Sequence, residues 1–382
     1  SRGLGDVYKR QAHRSVAGAL LLANLEPVFA MPEYDAVFGI NTQITPQAVQ
    51  DAFARHADIK AVLVTSPNYY GQAADLKAIA GIAHAHNAVL LVDEAHGPHL
   101  GFSIKLPPSA LQCGADACAQ STHKILGAMT QCSLLHVKGG RINLTRAAEA
   151  VSLLTTTSPN YLLMASIDAA RYTLAVQGEK LIERALAAAE KLRSCLSKFA
   201  GLKLLDAGCT GKNGIAGFDC TKVTVNTAAW GYSGTEAGDA LRKAGIAVEL
   251  TDAQNVLFLV TFADGGAEYD AVLEKISRVF AGLEQHKRAP LKEQNCWRLP
   301  EFITAVPLRS AFDAGTECLP LQKAEGRICA EQVSFYPPGI PVLWPGELVT
   351  AAVIDYCLRM KKLGLPVSGP ADYTLTELRV IK

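Results

Sequence analysis

The sequence has no excess of charge of either sign. Its 382 residues include 37 lysines and arginines and 36 aspartates and glutamates. Binding to nucleic acid or to an anionic membrane by long-range attraction requires a surplus of basic residues, so the composition argues against both classes of partner. A small molecule is therefore the expected substrate or ligand.

Cysteine pairs and long apolar runs are also missing. The ten cysteines include no C-x-x-C pair and show no regular spacing, which is typical of reduced thiols rather than of a disulfide framework or a zinc site. No stretch of about eighteen uncharged apolar residues occurs, and the N-terminus lacks the order of a signal peptide. These absences predict a cytoplasmic protein without a metal site.

Strands and helices alternate along the first half of the chain. Continuous apolar, β-branched runs at 59–65 and 88–92 are typical of strands buried on both faces, and helix-like segments lie at 16–25, 45–56 and 76–85. This alternation predicts an α/β fold with a mostly parallel, doubly wound sheet.

Changes in this pattern predict four segments. Residues 1–11 fit no periodic pattern and resemble a translated, non-native adapter, so we exclude them from the fold. The other three are a large domain (12–200), a small α+β domain (201–285) and a proline-rich C-terminal α+β domain (286–382). One helical section is expected from Tyr161 to about Phe199, with a break at Gly178.

Polar side chains follow two consecutive strands of the predicted sheet. Asp93 and His96 follow one buried strand, and Ser121, His123 and Lys124 follow the next strand-like run. Because ligands collect at the carboxyl ends of parallel strands, we expect these side chains to share one crevice. An isolated lysine at a strand end is more often structural, with its amine in solvent. The aspartate on the neighbouring strand reverses that interpretation.

Asp93 and Lys124 together indicate pyridoxal phosphate. The cofactor needs an amine that forms a Schiff base and an aspartate that keeps the pyridine nitrogen protonated, because the protonated ring accepts the electrons of a carbanion. Ser121 is placed to donate a hydrogen bond to the cofactor phosphate. His96 and His123 are either satisfied core histidines or cofactor-binding residues.

Ser121 and Lys124 also fit the S-x-x-K pattern of serine β-lactamases and related acyl-enzymes. That interpretation expects the serine to open a helix and needs S-D-N and K-T-G partners further along the chain. Neither partner occurs, and the run before Ser121 is strand-like. An acyl-enzyme is therefore the weaker hypothesis.

Five motifs stand in one order along the chain: Ser66-Pro-Asn-Tyr-Tyr-Gly, Val92-Asp-Glu-Ala-His-Gly-Pro-His, Gln120-Ser-Thr-His-Lys, Thr156-Thr-Ser-Pro-Asn-Tyr-Leu-Leu-Met-Ala-Ser and Tyr336-Pro-Pro-Gly-Ile-Pro. From about His13 onward the chain strongly resembles the bacterial ornithine/lysine/arginine decarboxylases of pyridoxal phosphate fold type I, in the short form without an N-terminal wing domain. The resemblance implies decarboxylation of a basic amino acid in polyamine metabolism by a homodimer or higher homo-oligomer.

The resemblance also implies how the cofactor is held. Lys124 would bind it covalently, and Asp93 would pair with the ring nitrogen. His13 would stack on one face of the ring, and Ala95 would cover the other. Ser121 would contact the phosphate.

Further roles carried over from the family involve catalysis, the dimer and the substrate. His123 would contact the phosphate and is a candidate acid near the substrate carbon. Thr157 and Ser158 resemble a segment that approaches the cofactor site across a dimer interface. Glu331 and Glu347 are candidates for binding the distal cationic end of the substrate.

One part of the family pattern is missing. In the family, a loop rich in glycine, serine and threonine grips the cofactor phosphate and precedes the stacking histidine; here residues 1–11 stand in its place. We therefore expect an N-terminally truncated chain that binds the cofactor weakly or not at all. Two alternatives stay open, another fold-type-I enzyme (an aminotransferase or lyase) and an inactive, cofactor-deficient fragment. The choice among arginine, lysine and ornithine is open as well.

Overall fold

The computed structural model describes Gly5–Lys9 and residues 12–291, 299–335 and 339–382. The first part of the chain contains the elements β1 (Gly5–Lys9), α1 (Arg14–Ala23), β2 (Glu26–Ala30), β3 (Tyr34–Asp35), β4 (Ile40–Asn41), α2 (Pro46–Arg55), β5 (Ala61–Thr65), β6 (Gln72–Ala74), α3 (Leu76–Ala85), β7 (Val89–Asp93), β8 (Ala117–Gln120), α4 (Thr122–Ile125), β9 (Leu134–Val137), α5 (Leu144–Leu154) and α6 (Tyr161–Leu196). Six strands form one sheet in the order β2-β1-β5-β7-β8-β9. All neighbours are parallel except β9, which is antiparallel to β8. The predicted mostly parallel α/β fold is confirmed.

The strand β1 lies inside this sheet. It pairs in parallel with β2 on one side and with β5 on the other. We expected residues 1–11 to lie outside the fold, and for Gly5–Lys9 that expectation is wrong. The physical reason is the backbone, because facing edges of β2 and β5 would each present unpaired N–H and C=O groups without a strand between them. Residues 1–4, 10 and 11 lie outside the described residues.

Local signals in the sequence account for the helices that flank the sheet. The side chain of Thr45 accepts a hydrogen bond from the Ala48 N–H, and Pro46 occupies the first helical position of α2. Asp75 caps α3 in the same way through the Ala78 N–H. Both helices pack their apolar residues onto β5 and β7 in one core. That core fixes the strand ends from which the polar side chains emerge.

The helix α6 runs without interruption from Tyr161 to Leu196. We expected a break at Gly178, and that expectation is wrong. A Cβ atom at position 178 would lie 2.6 Å from Cδ1 of Phe102. The glycine therefore serves close packing of an aromatic ring against the helix, and it does not end the helix.

The rest of the chain contains β10 (Lys203–Leu205), β11 (Ile215–Phe218), β12 (Lys222–Asn226), α7 (Gly234–Lys243), β13 (Leu250–Thr251), β14 (Asn255–Leu259), α8 (Gly266–Gln285), α9 (Leu308–Asp313), β15 (Thr316–Pro320), β16 (Val333–Phe335), β17 (Ile340–Leu343), α10 (Ala351–Lys362), β18 (Val367–Ser368) and β19 (Glu377–Ile381). A four-stranded sheet of order β10-β12-β14-β13 packs against α7 and α8. The C-terminal part has a core of its own, built on β16, β17, β19 and α10.

One hydrophobic core includes residues from both sides of the segment boundary predicted at residue 200. Leu192 and Leu196, in the last turns of α6, belong to the core of the second part. The long helix therefore connects the large sheet to the smaller one, and the boundaries at 200 and 285 stay predictions. No helix in the described ranges is long and apolar enough to cross a membrane.

Candidate active site

A cavity of about 1420 Å³ opens at the carboxyl ends of the parallel strands. Seven of the side chains expected to bind the cofactor line it: His13, Asp93, Ala95, His96, Ser121, His123 and Lys124. The strand order places β7 next to β8, so the polar groups that follow these two strands meet at one edge of the sheet. The crevice predicted from the sequence is present.

Lys124 reaches the cavity from α4, which begins directly after β8. Its Nζ lies 3.0 Å from Nε2 of His96. Burial lowers the pKa of the Lys124 amine, while the negative charges of Asp93 and Glu249 oppose that change. The amine is thus more easily deprotonated than that of an ordinary lysine, which suits a nucleophile.

Asp93 is the last residue of β7. The sequence predicted a strand that ends one residue earlier, at Val92. Its Oδ1 accepts a hydrogen bond from the Ala95 N–H at 3.1 Å. Its other carboxylate oxygen takes no hydrogen bond from the part of the chain that the structure describes. That oxygen is available to a ligand in the cavity.

His13 stands at the N-terminus of α1 and faces the same cavity. Its Nδ1 accepts a hydrogen bond from the Ser15 N–H at 3.3 Å and lies 2.9 Å from the Ser15 hydroxyl. Desolvation lowers the pKa of His13, Asp93 opposes this effect and Lys124 adds to it. The imidazole therefore lies within electrostatic reach of both the carboxylate and the amine.

Ser121 and His123 flank the start of α4. The Ser121 side chain makes no capping hydrogen bond, so its hydroxyl is available to a ligand. Nδ1 of His123 lies 2.7 Å from the Cys132 carbonyl oxygen and donates to it, which leaves Nε2 as the nitrogen that can exchange a proton. Ser121 lies at the start of a short helix, although a strand precedes it. The strand-like run before Ser121 is therefore not a valid argument against an acyl-enzyme.

Two expected pairs do not line the cavity. Thr157 and Ser158 are exposed in the loop between α5 and α6. Glu331 is buried, and its two oxygens accept the N–H groups of Ala371 and Arg379. Glu347 is buried and accepts the N–H of Trp344. Both carboxylates thus accept backbone N–H groups of the C-terminal part of the chain, and their expected contact with substrate stays a prediction.

The last sequence motif is described only in part. Tyr336, Pro337 and Pro338 lie outside the described residues. Gly339, which follows them, lines the cavity, and so do Gln332 and Ser334 just before them. The C-terminal part of the chain therefore forms one wall of the site.

Tyr69 is a site residue that sequence reasoning did not single out. Its ring packs on His96 with 4.2 Å between ring centroids, and the Lys124 Nζ lies 5.6 Å from the centre of the Tyr69 ring. The sequence feature that could have identified Tyr69 is its position in the loop that follows the carboxyl end of β5. An aromatic ring beside an amine and an imidazole restricts both side chains by packing.

Glu94, next to Asp93, points away from the cavity into the sheet. It accepts hydrogen bonds from the Ala110 N–H at 2.7 Å and from Nε2 of Gln120 at 2.6 Å. Burial raises the pKa of its carboxyl from 4.5 to about 6. Adjacent carboxylates thus have separate roles, with Asp93 facing the cavity and Glu94 linking β7 to its neighbours.

The donor set of the cavity fits pyridoxal phosphate. Asp93 offers a free carboxylate oxygen for a pyridinium N–H, and Lys124 offers an amine of lowered pKa for an aldehyde carbon. Ser121 and His123 offer a hydroxyl and an imidazole for a phosphate. Of residues 1–11 the structure describes only Gly5–Lys9, so the expected weak cofactor binding stays a prediction.

Comparison with protein families gives two matches. Residues 5–225 match the family described as "Orn/Lys/Arg decarboxylase, major domain". Residues 304–369 match the C-terminal domain of the same family. The two segments together include most of the chain.

Individual relatives agree with these matches. An arginine decarboxylase of Bacillus anthracis is 40% identical over 387 residues, which span 100% of this chain and 78% of that protein. An arginine decarboxylase of Bacillus subtilis is 39% identical over 384 residues, with the same coverage. The solved lysine decarboxylase of Francisella novicida superposes with a TM-score of 0.83 at 22% identity and covers 100% of this chain and 67% of that structure. The predicted fold type is thereby confirmed.

Proposed function

This chain belongs to the Orn/Lys/Arg decarboxylase family of pyridoxal-phosphate-dependent carboxy-lyases, and on that premise we propose that it decarboxylates arginine. The observation that carries the proposal is the convergence of Lys124, Asp93 and His13 on one cavity. The choice of arginine is supported by the two Bacillus relatives at about 40% identity, both of which are named arginine decarboxylases. The product would be the amine that retains the guanidinium group, which is a polyamine precursor.

Pyridoxal phosphate, when bound, supplies a ring that accepts the electron pair left behind as carbon dioxide departs. Lys124 would hold the cofactor through its amine, whose pKa burial has lowered. Asp93 would hold a proton at the pyridine nitrogen through its free oxygen, since a half-buried carboxylate stabilises a nearby cation. His13 and Ala95 would confine the ring from its two faces.

His123 is the proposed proton donor to the substrate carbon. Its Nδ1 hydrogen bond to the Cys132 carbonyl fixes the orientation of the ring. The Thr122 hydroxyl donates to the same carbonyl at 3.0 Å, which anchors the turn around the histidine. In the imidazolium form Nε2 also carries a proton and can deliver it from a fixed position, which is the geometric requirement for general acid catalysis.

A substrate panel tests this proposal. Purified protein with millimolar cofactor is incubated with arginine, lysine or ornithine, and the amine, carbon dioxide and keto-acid products are measured. We expect amine and carbon dioxide from arginine in equal amounts, with no keto acid. Keto acid without carbon dioxide would identify an aminotransferase, and product from lysine or ornithine alone would contradict the choice of arginine.

A second copy of this chain is proposed to cover an apolar surface on α5 and the first turns of α6. None of the side chains of α5 is buried, and Leu153, Tyr161 and Leu162 are 85%, 77% and 71% exposed. Exposed apolar surface of this kind marks an interaction site. Leu154, at the end of α5, also lines the cavity, so the apolar surface reaches the cavity rim. A second copy docked on this surface would bring its own Thr157 and Ser158 to the site.

The oligomeric state tests the second copy. Leu153→Glu combined with Leu162→Glu places two charges on the apolar surface, and we expect the dimer to dissociate in sedimentation experiments. Ile104→Glu is the matched control, because Ile104 is fully exposed near the opposite half of α6, beside the Lys105–Glu183 ion pair. A wild-type monomer, or a double variant that stays dimeric, would refute the proposed surface.

All cysteines in the described ranges are free thiols. This supports the inference of a reducing, cytoplasmic location, where such thiols persist.

A further inference from the structure

His96 is a close polar partner of the reactive amine. Its Nε2 lies 3.0 Å from Nζ of Lys124, and the side chain is almost fully buried while still lining the cavity. Tyr69 packs against the ring at 4.2 Å between centroids. The imidazole is therefore held in place, and its contact with the amine is not an incidental surface hydrogen bond.

Burial and the neighbouring charges favour the neutral form of the His96 ring. Burial is the largest cause of its strongly lowered pKa, followed by the cations Lys222 and Lys124; Asp219 opposes them, and His99 adds to the lowering. Asp219 lies 3.0 Å from His99 and 3.9 Å from the buried Lys222 amine. The carboxylate is thus already shared by two basic groups, which limits its effect on His96.

A neutral imidazole and a carboxylate would act on Lys124 in opposite ways. A carboxylate 3 Å from Nζ would bind the ammonium and raise its pKa. The neutral ring only accepts an N–H hydrogen bond at Nε2, with its own proton on Nδ1. The amine can then be oriented without being locked in its charged, non-nucleophilic form.

We propose that His96 positions the amine of Lys124 as an uncharged nucleophile by accepting its N–H at Nε2. The proposal rests on the proposed function, because it assigns Lys124 the role of holding the cofactor. It adds a residue that touches the reacting nitrogen and explains why an imidazole occupies this place. The groups that face the imidazole are Lys124, Lys222, Asp219 and His99, and Glu249 also acts on both lysines.

Competitive labelling of the cofactor-free protein with trace acetic anhydride tests the charge effect. Mass spectrometry measures the labelling of Lys124 against pH, with the exposed Lys77 as an internal reference. In His96→Gln the amide oxygen replaces Nε2 as the hydrogen-bond acceptor. In this variant and in the wild type, we expect the pH at which Lys124 labelling is half-maximal (its midpoint) to lie below the midpoint of Lys77. In His96→Glu we expect it to rise by more than about one pH unit, as for a charge at this distance.

Stopped-flow capture of pyridoxal phosphate tests the positioning effect. At a pH above the Lys124 midpoint, His96→Leu should capture the cofactor at least about tenfold more slowly than the wild type, because misplacement of a reacting group by about 1 Å costs up to about a hundredfold. His96→Gln should stay within about threefold of the wild-type rate. Equal rates for wild type and His96→Leu would overturn the positioning role.

The outcomes separate this inference from the proposed function. A wild-type Lys124 midpoint at or above that of Lys77 would overturn the inference even if His96→Glu fails to fold. An unchanged midpoint in folded His96→Glu would overturn it as well. Because the labelling uses no cofactor or substrate, the expected midpoints combined with no carbon dioxide from any basic amino acid would refute the decarboxylase and leave the role of His96 in place.

Discussion

Replacing Asp93 with asparagine is the sharpest perturbation of the cofactor site. Asparagine keeps an Oδ1 that can accept the Ala95 N–H, so the end of β7 should hold its shape. The charge that faces the cavity is lost. A hydrogen bond to a charged partner contributes about 1.5–3 kcal/mol. Since about 1.4 kcal/mol is a tenfold change, Asp93→Asn should weaken cofactor binding by about 10- to 150-fold.

The assay for this variant combines a cofactor titration, followed by absorbance, with carbon dioxide release at saturating cofactor. Activity should fall at least as far as binding, because the neutral ring is a poorer electron acceptor. Glu94→Gln is the matched control, since it neutralises the adjacent carboxylate that faces the sheet. Wild-type cofactor affinity and wild-type turnover in Asp93→Asn would refute the assignment of Asp93 to the ring nitrogen.

Two further predictions concern stability. Burial raises the pKa of Glu94 from 4.5 to about 6, so the folded state binds this proton more tightly than the unfolded state does. The free energy of unfolding should therefore fall by about 2 kcal/mol as the pH rises through this range. Urea unfolding from pH 4.5 to 7 should show this loss in the wild type relative to Glu94→Gln, and parallel curves would contradict it. Gly178→Ala should destabilise the protein by about 1–3 kcal/mol through contact with Phe102, whereas Gly282→Ala, with open space around its Cβ in α8, should stabilise it by about 0.5–1 kcal/mol. Equal melting temperatures for the two alanine variants would contradict the packing role of Gly178.

The parallel core was predictable because apolar residues follow one pattern in its strands and another in its helices. The runs at β5 and β7 are apolar on both faces, and the helices that precede them, α2 and α3, begin at the cap residues Thr45 and Asp75. The residues at the carboxyl ends of these strands were found for the same reason. Since the ends of neighbouring parallel strands must meet, Asp93 and Lys124 could be assigned to one crevice from the sequence alone.

Other features depend on partners that are distant in sequence. Gly178 looks like a helix breaker until Phe102 is placed against it. The sequence around Glu331 does not indicate that its two oxygens accept the N–H groups of Ala371 and Arg379. The contact between His96 and Lys124 likewise depends on how β7 and β8 align, which no local pattern specifies.

The most direct measurement uses arginine labelled with ¹⁴C at the carboxyl carbon, with millimolar pyridoxal phosphate, and compares the wild type with Lys124→Ala. We predict that the wild type releases labelled carbon dioxide and forms one guanidinium-bearing amine for each molecule released. Lys124→Ala should release none above the rate with cofactor alone. Absence of release from the wild type, or equal release from both proteins, would contradict the conclusion that this cavity is a decarboxylase site built on Lys124.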